Sequence, residues 1–257
     1  SGNELIKLYL RKLKNEIFDD FSQLLNKKSI SKRINDNMIF ENLEANFSKN
    51  IWNLFFHSGY LTLAEEYDEN RNDVSLKIPN EEILRMFSEM FIDLYFENYD
   101  IFLEVTEALK KGDAEKFKRE LNKILLENVG IFDVGGIYKE QFYHGFMLGL
   151  VIMLKNEYEI SSNNFAGKGR YDLLLKPKNI EKRKEGIILE LKIVNSSQKL
   201  SENEIQKELE KECDIALKQI EEKKYSSVLK NAGIDNILKI GLAFFGKEVE
   251  VKFEREK

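Results

Sequence analysis

The chain has 257 residues, a net charge of −5 at pH 7 and 42% hydrophobic residues. This apolar content excludes a disordered chain and predicts one large domain or two modest ones, of which we favour two. A single cysteine, Cys213, excludes an internal disulfide framework, and with His57 and His144 as the only histidines a Cys/His zinc site has too few ligands. Any bound metal is therefore expected to be Mg²⁺ or Mn²⁺, held mainly by carboxylates.

Two further features of the sequence bear on where the protein works. The chain has no run of about eighteen uncharged apolar residues and no secretory signal. We therefore expect a soluble, cytoplasmic protein. The opening Ser1-Gly2, without a Met, is typical of a remnant of an expression vector, so we expect the natural protein to extend further N-terminally.

Residues 1–130 are predicted to form a mainly helical N-terminal region. Apolar residues recur at helical spacing near the N-terminus, after Pro79 and from about Asp113. They include Leu5, Leu8, Tyr9, Leu13, Ile83, Phe87, Phe91, Leu94, Phe117, Leu121, Ile124 and Leu125. Between these segments, residues 58–63 and 74–78 are typical of a short β-hairpin.

Residues 131–257 are predicted to form a second domain of the α/β class, because the hydrophobic period changes after Tyr138. Its elements follow in the order helix, three strands, helix, two strands. They are a helix over about 139–156, strands over 158–163, 170–176 and 186–194, a helix over about 201–224, and strands over 237–244 and 248–253. Ser201 and Glu204 form a capping box that predicts where the second helix begins.

The strand over 186–194 carries two charges in an otherwise apolar segment. Alternation sends Glu190 and Lys192 to one face of the strand, together with Ile188 and Val194. Charges in such a strand are costly unless they pair or bind a metal. A hairpin with the preceding strand would bring Asp172 beside Glu190. Two carboxylates and a lysine can hold a divalent cation, orient a water molecule and offset charge that develops on phosphorus.

The sequence around these residues is locally basic. Between Lys168 and Lys199, nine basic residues stand against four acidic ones, an excess of five positive charges. The basic residues are Lys168, Arg170, Lys176, Lys178, Lys182, Arg183, Lys184, Lys192 and Lys199, and the acidic ones are Asp172, Glu181, Glu185 and Glu190. Such an excess favours a nucleic-acid partner, and a solvated lysine-rich hairpin explains it equally well.

Asp172 followed by Glu190-Leu191-Lys192 resembles the motif of the PD-(D/E)XK nuclease superfamily. The resemblance extends to further segments that occur in the same order. These are Glu140 to His144 on the preceding helix, Gly169-Arg170-Tyr171 before Asp172, and Gln219-Ile220 with Tyr225 on the following helix. The resemblance implies a restriction-endonuclease-like αβββαββ core with a mixed sheet.

The same resemblance implies roles for individual residues. Asp172 and Glu190 would bind Mg²⁺ or Mn²⁺. The predicted catalytic residues are Asp172, Glu190, Lys192, Glu140 and Gln219, and the predicted substrate-binding residues are Arg170, Lys168 and Tyr225. Non-functional explanations stay open for four of these residues. Glu140 and Gln219 could face solvent, Arg170 could form a salt bridge in the hairpin, and Tyr225 could pack within the fold.

With Ile51-Trp52, Ser58 to Thr62 and Ile78-Pro79-Asn80, the chain from about residue 40 resembles the C-terminal part of bacterial AAA-ATPase-like proteins that carry such a domain. This implies metal-dependent hydrolysis of phosphodiester bonds, with DNA favoured over RNA, and an AAA-type ATPase domain of the same protein as partner. One departure concerns residues 162–167. Members of the family often read Ser-Asn-Arg-Glu-Ser-Gly there, whereas this chain has Asn164 and Phe165 in place of the Arg and the Glu. The alternative function is therefore a catalytically inactive nuclease-fold module that binds nucleic acid or protein.

Overall fold

The structure of the protein is a computed structural model that describes residues 10, 17, 20–21, 23–34, 47–64, 73–95, 99–127, 139–181, 185–195 and 200–256. The chain divides into two compact units, Ser1–Tyr95 and Phe96–Lys257. The domain boundary expected near residue 130 lies outside the described residues and stays a prediction. The helix expected over Leu5 to Leu13 also lies almost wholly outside them.

In the N-terminal unit, the described residues form a three-stranded antiparallel sheet and flanking helices. The strands are β1 (Ile30–Lys32), β2 (Thr62–Leu63) and β3 (Val74–Lys77), in the order β1-β3-β2, and the helices are α1 (Phe47–His57) and α2 (Glu81–Tyr95). The predicted hairpin is confirmed as β2 and β3, while β1 is a strand that the sequence did not predict. An aromatic core includes Phe87, whose ring centroid lies 5.1 Å from that of Phe21 and 5.2 Å from that of Phe55.

The C-terminal unit is built on a mixed five-stranded sheet in the order β10-β9-β8-β7-β4. Its strands are β4 (Tyr158–Ser162), β7 (Leu173–Pro177), β8 (Glu185–Ile193), β9 (Asn236–Phe245) and β10 (Glu248–Glu256). Strands β8 and β9 run parallel, and the other neighbours are antiparallel. Between β4 and β7, β5 (Phe165–Ala166) and β6 (Gly169–Arg170) form a separate small hairpin. The α/β class and the mixed sheet are confirmed, and the architecture is consistent with a restriction-endonuclease-like fold.

The helices of this unit cover the sheet. They are α3 (Tyr99–Lys111), α4 (Ala114–Glu127), α5 (Lys139–Ile152), α6 (Glu202–Glu222) and α7 (Ser227–Lys230). Helix α6 packs on β8, β9 and β10, whereas α5 contacts β4 and β8. Helix α5 ends four residues earlier than predicted, because the chain tightens there into turns, with the N–H of Leu154 donating to the carbonyl of Val151 at 2.9 Å. No helix among the described residues is long and apolar enough to cross a membrane.

Helix α6 begins as the sequence predicts. The Glu204 carboxylate accepts hydrogen bonds from the backbone N–H of Ser201 at 2.8 Å and from its hydroxyl at 2.6 Å. The predicted apolar stripe is buried at Ile205, Leu209, Cys213, Ala216 and Ile220. The helix therefore presents one apolar face to the sheet.

The backbone of α6 lies directly against β9 at Gly241. A Cβ atom at Gly241 would lie 2.4 Å from the carbonyl oxygen of Cys213 and 3.2 Å from the Cβ of Ala216. The distance to the carbonyl oxygen is too short for a non-bonded contact, and this oxygen belongs to the backbone, so glycine is required at this close approach. Gly241 pairs in register with Glu190 of β8. The close approach therefore occurs beside the charged part of β8.

Two apolar clusters lie under α6, one at each side of this charged part. The first contains Ile188 of β8 with Ile220 and Tyr225, and the second contains Val194 with Cys213 among others. This confirms the face predicted from strand alternation. On this face of β8, Glu190 and Lys192 lie between Ile188 and Val194. They therefore separate the two apolar clusters by a polar stretch, which we call the polar gap.

Candidate functional site

Two carboxylates lie side by side where β7 begins next to β8. Glu190 is only 2% exposed, on β8. The Oδ2 atom of Asp172 accepts a hydrogen bond from the backbone N–H of Leu191 at 2.8 Å, which holds this carboxylate next to Glu190. The sequence analysis did not predict this contact, because no sequence signal marks a backbone donor.

The predicted strand over 170–176 is wrong at its start. Asp172 lies at a bend one residue before β7, not within a strand. The reason is the separate β5–β6 hairpin, in which Arg170 pairs with Phe165, so the chain must turn before it can join β4. The N–H of Asn163 donates to the carbonyl of Asp172 at 3.0 Å and stabilises this turn.

Burial makes both carboxyl groups harder to ionise. Burial raises the pKa of Asp172 above its usual range, and the negative charge of Glu140 raises it further. The hydrogen bond from the Leu191 N–H and the positive charge of Lys192 lower the pKa, but by less. Burial also raises the pKa of Glu190, and the charge of Asp172 raises it further, although Lys192 opposes both effects. When both groups are ionised, the pair carries more negative charge than one lysine compensates.

A chain of hydrogen bonds joins Lys192 to the hairpin through α6. The Nζ of Lys192 donates to the Oε1 of Gln219 at 2.7 Å and to the Oε1 of Glu190 at 3.3 Å. The Nε2 of Gln219 donates to Glu190 and, at 3.2 Å, to the hydroxyl of Tyr225. That hydroxyl donates to the carbonyl of Arg170 at 2.5 Å. Gln219 therefore faces the site rather than solvent alone, and Tyr225 contacts it from within the fold.

The other three predicted site residues are exposed around this centre. Glu140 lies in the first turn of α5, close enough for its charge to raise the pKa of Asp172. Lys168 lies at the tip of the β5–β6 hairpin, where its backbone N–H donates to the carbonyl of Lys223 at 2.8 Å. The guanidinium of Arg170 lies over the ring of Phe165, with Cζ 4.4 Å from the ring centroid.

His144 is buried on α5 behind the bend that carries Asp172. Its Nε2 lies 3.3 Å from each of three groups: the carbonyl oxygen of Asp172, the hydroxyl of Ser162 and the side-chain amide of Asn163. These contacts stabilise the backbone around Asp172.

Part of the chain that contains this site matches a known protein family. Residues 138–254 match the family model of the PD-(D/E)XK nuclease superfamily. This segment is a PD-(D/E)XK nuclease superfamily domain. The curated proteins give no significant match. The matched segment includes Asp172, Glu190 and Lys192, whereas the AAA-ATPase-like resemblance from about residue 40 stays a prediction.

The acidic pair of the PD-(D/E)XK domain fits a divalent cation. The Oε2 of Glu190 is buried and has no hydrogen-bond partner among the described residues. An unpartnered buried carboxylate oxygen is costly, and Mg²⁺ and Mn²⁺ prefer oxygen ligands of this kind. Within the described ranges no group of three or more His, Cys, Asp and Glu side chains could hold a metal. A cation bound by Asp172 and Glu190 would thus complete its coordination with water or substrate oxygens.

Proposed function

We propose that this protein hydrolyses phosphodiester bonds of nucleic acid, with DNA favoured over RNA, in the presence of Mg²⁺ or Mn²⁺. The observation that supports this most is the convergence of Asp172, Glu190 and Lys192 on one polar gap under α6. Members of the PD-(D/E)XK superfamily are usually phosphodiesterases and generally use divalent metals. The site has the residue types that this chemistry requires.

Asp172 and Glu190 are the residues that would hold the cation. When bound, a divalent cation supplies Lewis acidity and lowers the pKa of water, so that hydroxide becomes available near neutral pH. Asp172 is held in place by the Leu191 N–H, and the Oε2 of Glu190 is buried and has no hydrogen-bond partner among the described residues. Both carboxylates must be ionised to bind, and their raised pKa values link cation binding to proton release.

Lys192 would act on the phosphate. Its side chain is 22% exposed, so a phosphate can reach it from solvent. The ammonium group would then offset the negative charge that grows on the phosphoryl oxygens in the transition state. Gln219 is a positioning residue, because its amide group bonds both Lys192 and Glu190 and is itself bonded to Tyr225.

A catalytically inactive binding module is the second candidate. The observation in its favour is the departure at Asn164 and Phe165, which replace the Arg and the Glu often found in the family. Phe165 is exposed on β5, so the departure supplies an apolar surface where an acid would be expected. In that case nucleic acid would bind to the domain without being cut. The proposed AAA-type ATPase domain would be the partner in either case.

The experiment that separates the two candidates compares wild type with Lys192→Ala. We expect the variant to cleave plasmid or oligonucleotide at least about a hundredfold more slowly in Mn²⁺, as for the loss of one preorganised electrostatic contact. Its affinity in Ca²⁺ should change only a few-fold, as for one phosphate contact among several. Lys211→Ala is the matched control, since Lys211 is an exposed lysine on α6, outside the basic stretch, that pairs with Glu208 at 3.0 Å.

The nuclease proposal is contradicted if wild type binds nucleic acid but cuts neither DNA nor RNA in Mg²⁺ or Mn²⁺. The binding module then becomes the better account. Equal cleavage by wild type and Lys192→Ala would instead remove Lys192 from the mechanism.

A further inference from the structure

Phe165 exposes an aromatic ring on the β5–β6 hairpin, which precedes the bend at Asp172. Its side chain is 74% exposed, the highest value among the exposed large hydrophobic side chains of the described residues. Isolated apolar side chains on a surface are common and need no functional explanation. Phe165 differs because of what holds it in place and what lies over it.

The β5–β6 hairpin that carries Phe165 is anchored to the end of α6. Ala166, the next residue, is 4% exposed and belongs to the apolar cluster around Tyr225. Gly167 has a φ of +53°, and a Cβ there would lie 2.1 Å from the carbonyl oxygen of Lys223. The N–H of Lys168 donates to that same carbonyl. The ring is thus presented by a fixed backbone and needs no ordering when a ligand binds.

Arg170 makes a cation–π contact with the ring of Phe165. Phe165 and Arg170 are cross-strand partners, and the guanidinium lies over the ring with Cζ 4.4 Å from its centroid. This is cation–π geometry, and it orients the ring while the greater part of its surface stays exposed. An exposed aromatic face next to a guanidinium suits a nucleotide, since a base stacks on the first and a phosphate pairs with the second.

The position of Phe165 and Arg170 relative to the acidic pair indicates which part of a nucleic acid they could bind. Arg170 precedes Asp172 by two residues, so their backbones are separated by no more than about 7 Å. The Arg170 carbonyl is also linked through Tyr225 and Gln219 to Glu190. A nucleotide held at Phe165 would therefore lie next to the phosphate at the acidic pair.

We propose that Phe165 and Arg170 form a stacking site for one unpaired nucleobase, which makes single-stranded or locally unpaired nucleic acid the preferred substrate. A base inside a duplex is stacked on both faces and must be unstacked, at a cost of a few kcal/mol, before it can meet an exposed ring. The inference rests on the proposed function, because it names the substrate class of the same site.

The test measures binding in Ca²⁺ and does not depend on cleavage. Oligonucleotides that carry the fluorescent base 2-aminopurine are titrated with wild type, Phe165→Ala and Phe165→Trp, as single strands and as duplexes. Stacking contributes about 1–3 kcal/mol per base, so Phe165→Ala should lose about tenfold in single-strand affinity and lose the fluorescence quenching. Phe165→Trp should retain both. Leu126→Ala is the matched control, since Leu126 is a 56% exposed side chain on α4, and it should behave as wild type.

Unchanged single-strand affinity of Phe165→Ala, or an equal loss for single strands and duplexes, would overturn the stacking site. In the first case the ring contacts another protein or only solvent, and in the second it contacts the nucleic-acid backbone. If wild type cuts nothing but shows stacking that depends on Phe165, the nuclease proposal fails while the stacking site stands. Circular dichroism of each variant verifies that it is folded.

Discussion

Two charged clusters lie on neighbouring strands of the same sheet. One is the acidic pair, Asp172 and Glu190, with Lys192 beside it. The other, which we call the Lys239 cluster, consists of Lys239 with Glu221, Glu256, Lys230 and Ser226. Lys239 is 2% exposed on β9 and bonds Glu221 and, at 2.6 Å, Glu256. Glu256 also accepts from Lys230 and, at 2.8 Å, from the hydroxyl of Ser226.

The two clusters differ in how completely their charges are compensated. Burial would raise the pKa of Glu256, but hydrogen bonds from Lys230, Lys239 and Ser226 lower it to about 2. In the acidic pair, burial and mutual repulsion prevail and raise both pKa values. A fully compensated cluster stabilises the fold, whereas an under-compensated one is a place where a ligand gains free energy by binding. The comparison thus distinguishes the Lys239 cluster, which we expect to be structural, from the acidic pair, which we propose to be functional.

The largest expected difference between the clusters is in activity. Glu190→Gln should lower the cleavage rate by at least about a hundredfold, because it removes a ligand of the cation and a charge that the transition state requires. Glu256→Gln makes the same chemical change in the Lys239 cluster and should leave the rate of folded protein within a few-fold of wild type. Initial rates in Mn²⁺ measure both. An equal loss of cleavage rate in both variants would contradict the distinction between the acidic pair and the Lys239 cluster.

Stability should show the opposite ranking. At neutral pH and without metal, we expect Glu256→Gln to lower the free energy of unfolding by about 2 kcal/mol, because it weakens three charge-assisted hydrogen bonds to a carboxylate whose side chain is only 22% exposed. Urea unfolding followed by circular dichroism gives this value. A change below a few tenths of a kcal/mol would mean that the Lys239 cluster is as weak as an ordinary surface ion pair.

The pH dependence of this loss tests its cause. Because folding lowers the pKa of Glu256 to about 2, from about 4.3 in an unfolded chain, the unfolded state binds more protons between these values. The stabilisation is therefore fully present above about pH 4.3 and is lost as the pH falls towards 2. The difference in unfolding free energy between wild type and Glu256→Gln should shrink between pH 6 and pH 3. A constant difference would indicate packing rather than charge.

The smallest expected effect is a gain in stability at the acidic pair. Folding raises the pKa of Glu190. The contribution of this group to the free energy of unfolding is therefore fully present at a pH below its pKa in the unfolded chain, and it is lost as the pH rises through its pKa in the folded protein. At pH 8 in EDTA, Glu190→Gln should therefore unfold with about 1 kcal/mol more free energy than wild type. Mn²⁺ should remove this advantage by stabilising wild type alone. A loss of stability in EDTA would show that Glu190 is compensated after all.

The parts of the fold that follow from local sequence were predictable. Strand β8 alternates apolar and charged side chains, and this period fixed the shared face of Glu190 and Lys192. Helix α6 has a capping box at Ser201 and a regular apolar stripe, so its start and its buried face could be read directly. The proximity of Asp172 followed from pairing β7 with β8.

The parts that depend on distant or irregular backbone were not predictable. Strand β1 has three residues, too few for a periodic pattern. The bend at Asp172 depends on the separate β5–β6 hairpin, whose connection needs positive φ at Gly167. The Lys239 cluster joins side chains of four elements, α6, α7, β9 and β10, and nothing local in β9 marks a lysine that is fully buried. The steering role of the basic stretch stays a prediction, since Lys182, Arg183, Lys184 and Lys199 lie outside the described residues.

Gly241 has a consequence for how mutational screens of this protein should be interpreted. It carries no functional group, its φ is not in the left-handed region, and yet any side chain there would push α6 away from β9 beside Glu190. Because α6 carries Gln219, that displacement would separate the amide from the acid and the lysine that it joins. A saturation screen for activity should therefore score position 241 as intolerant as the acids themselves. At this position the intolerance would report the spacing between two backbones and not a chemical role.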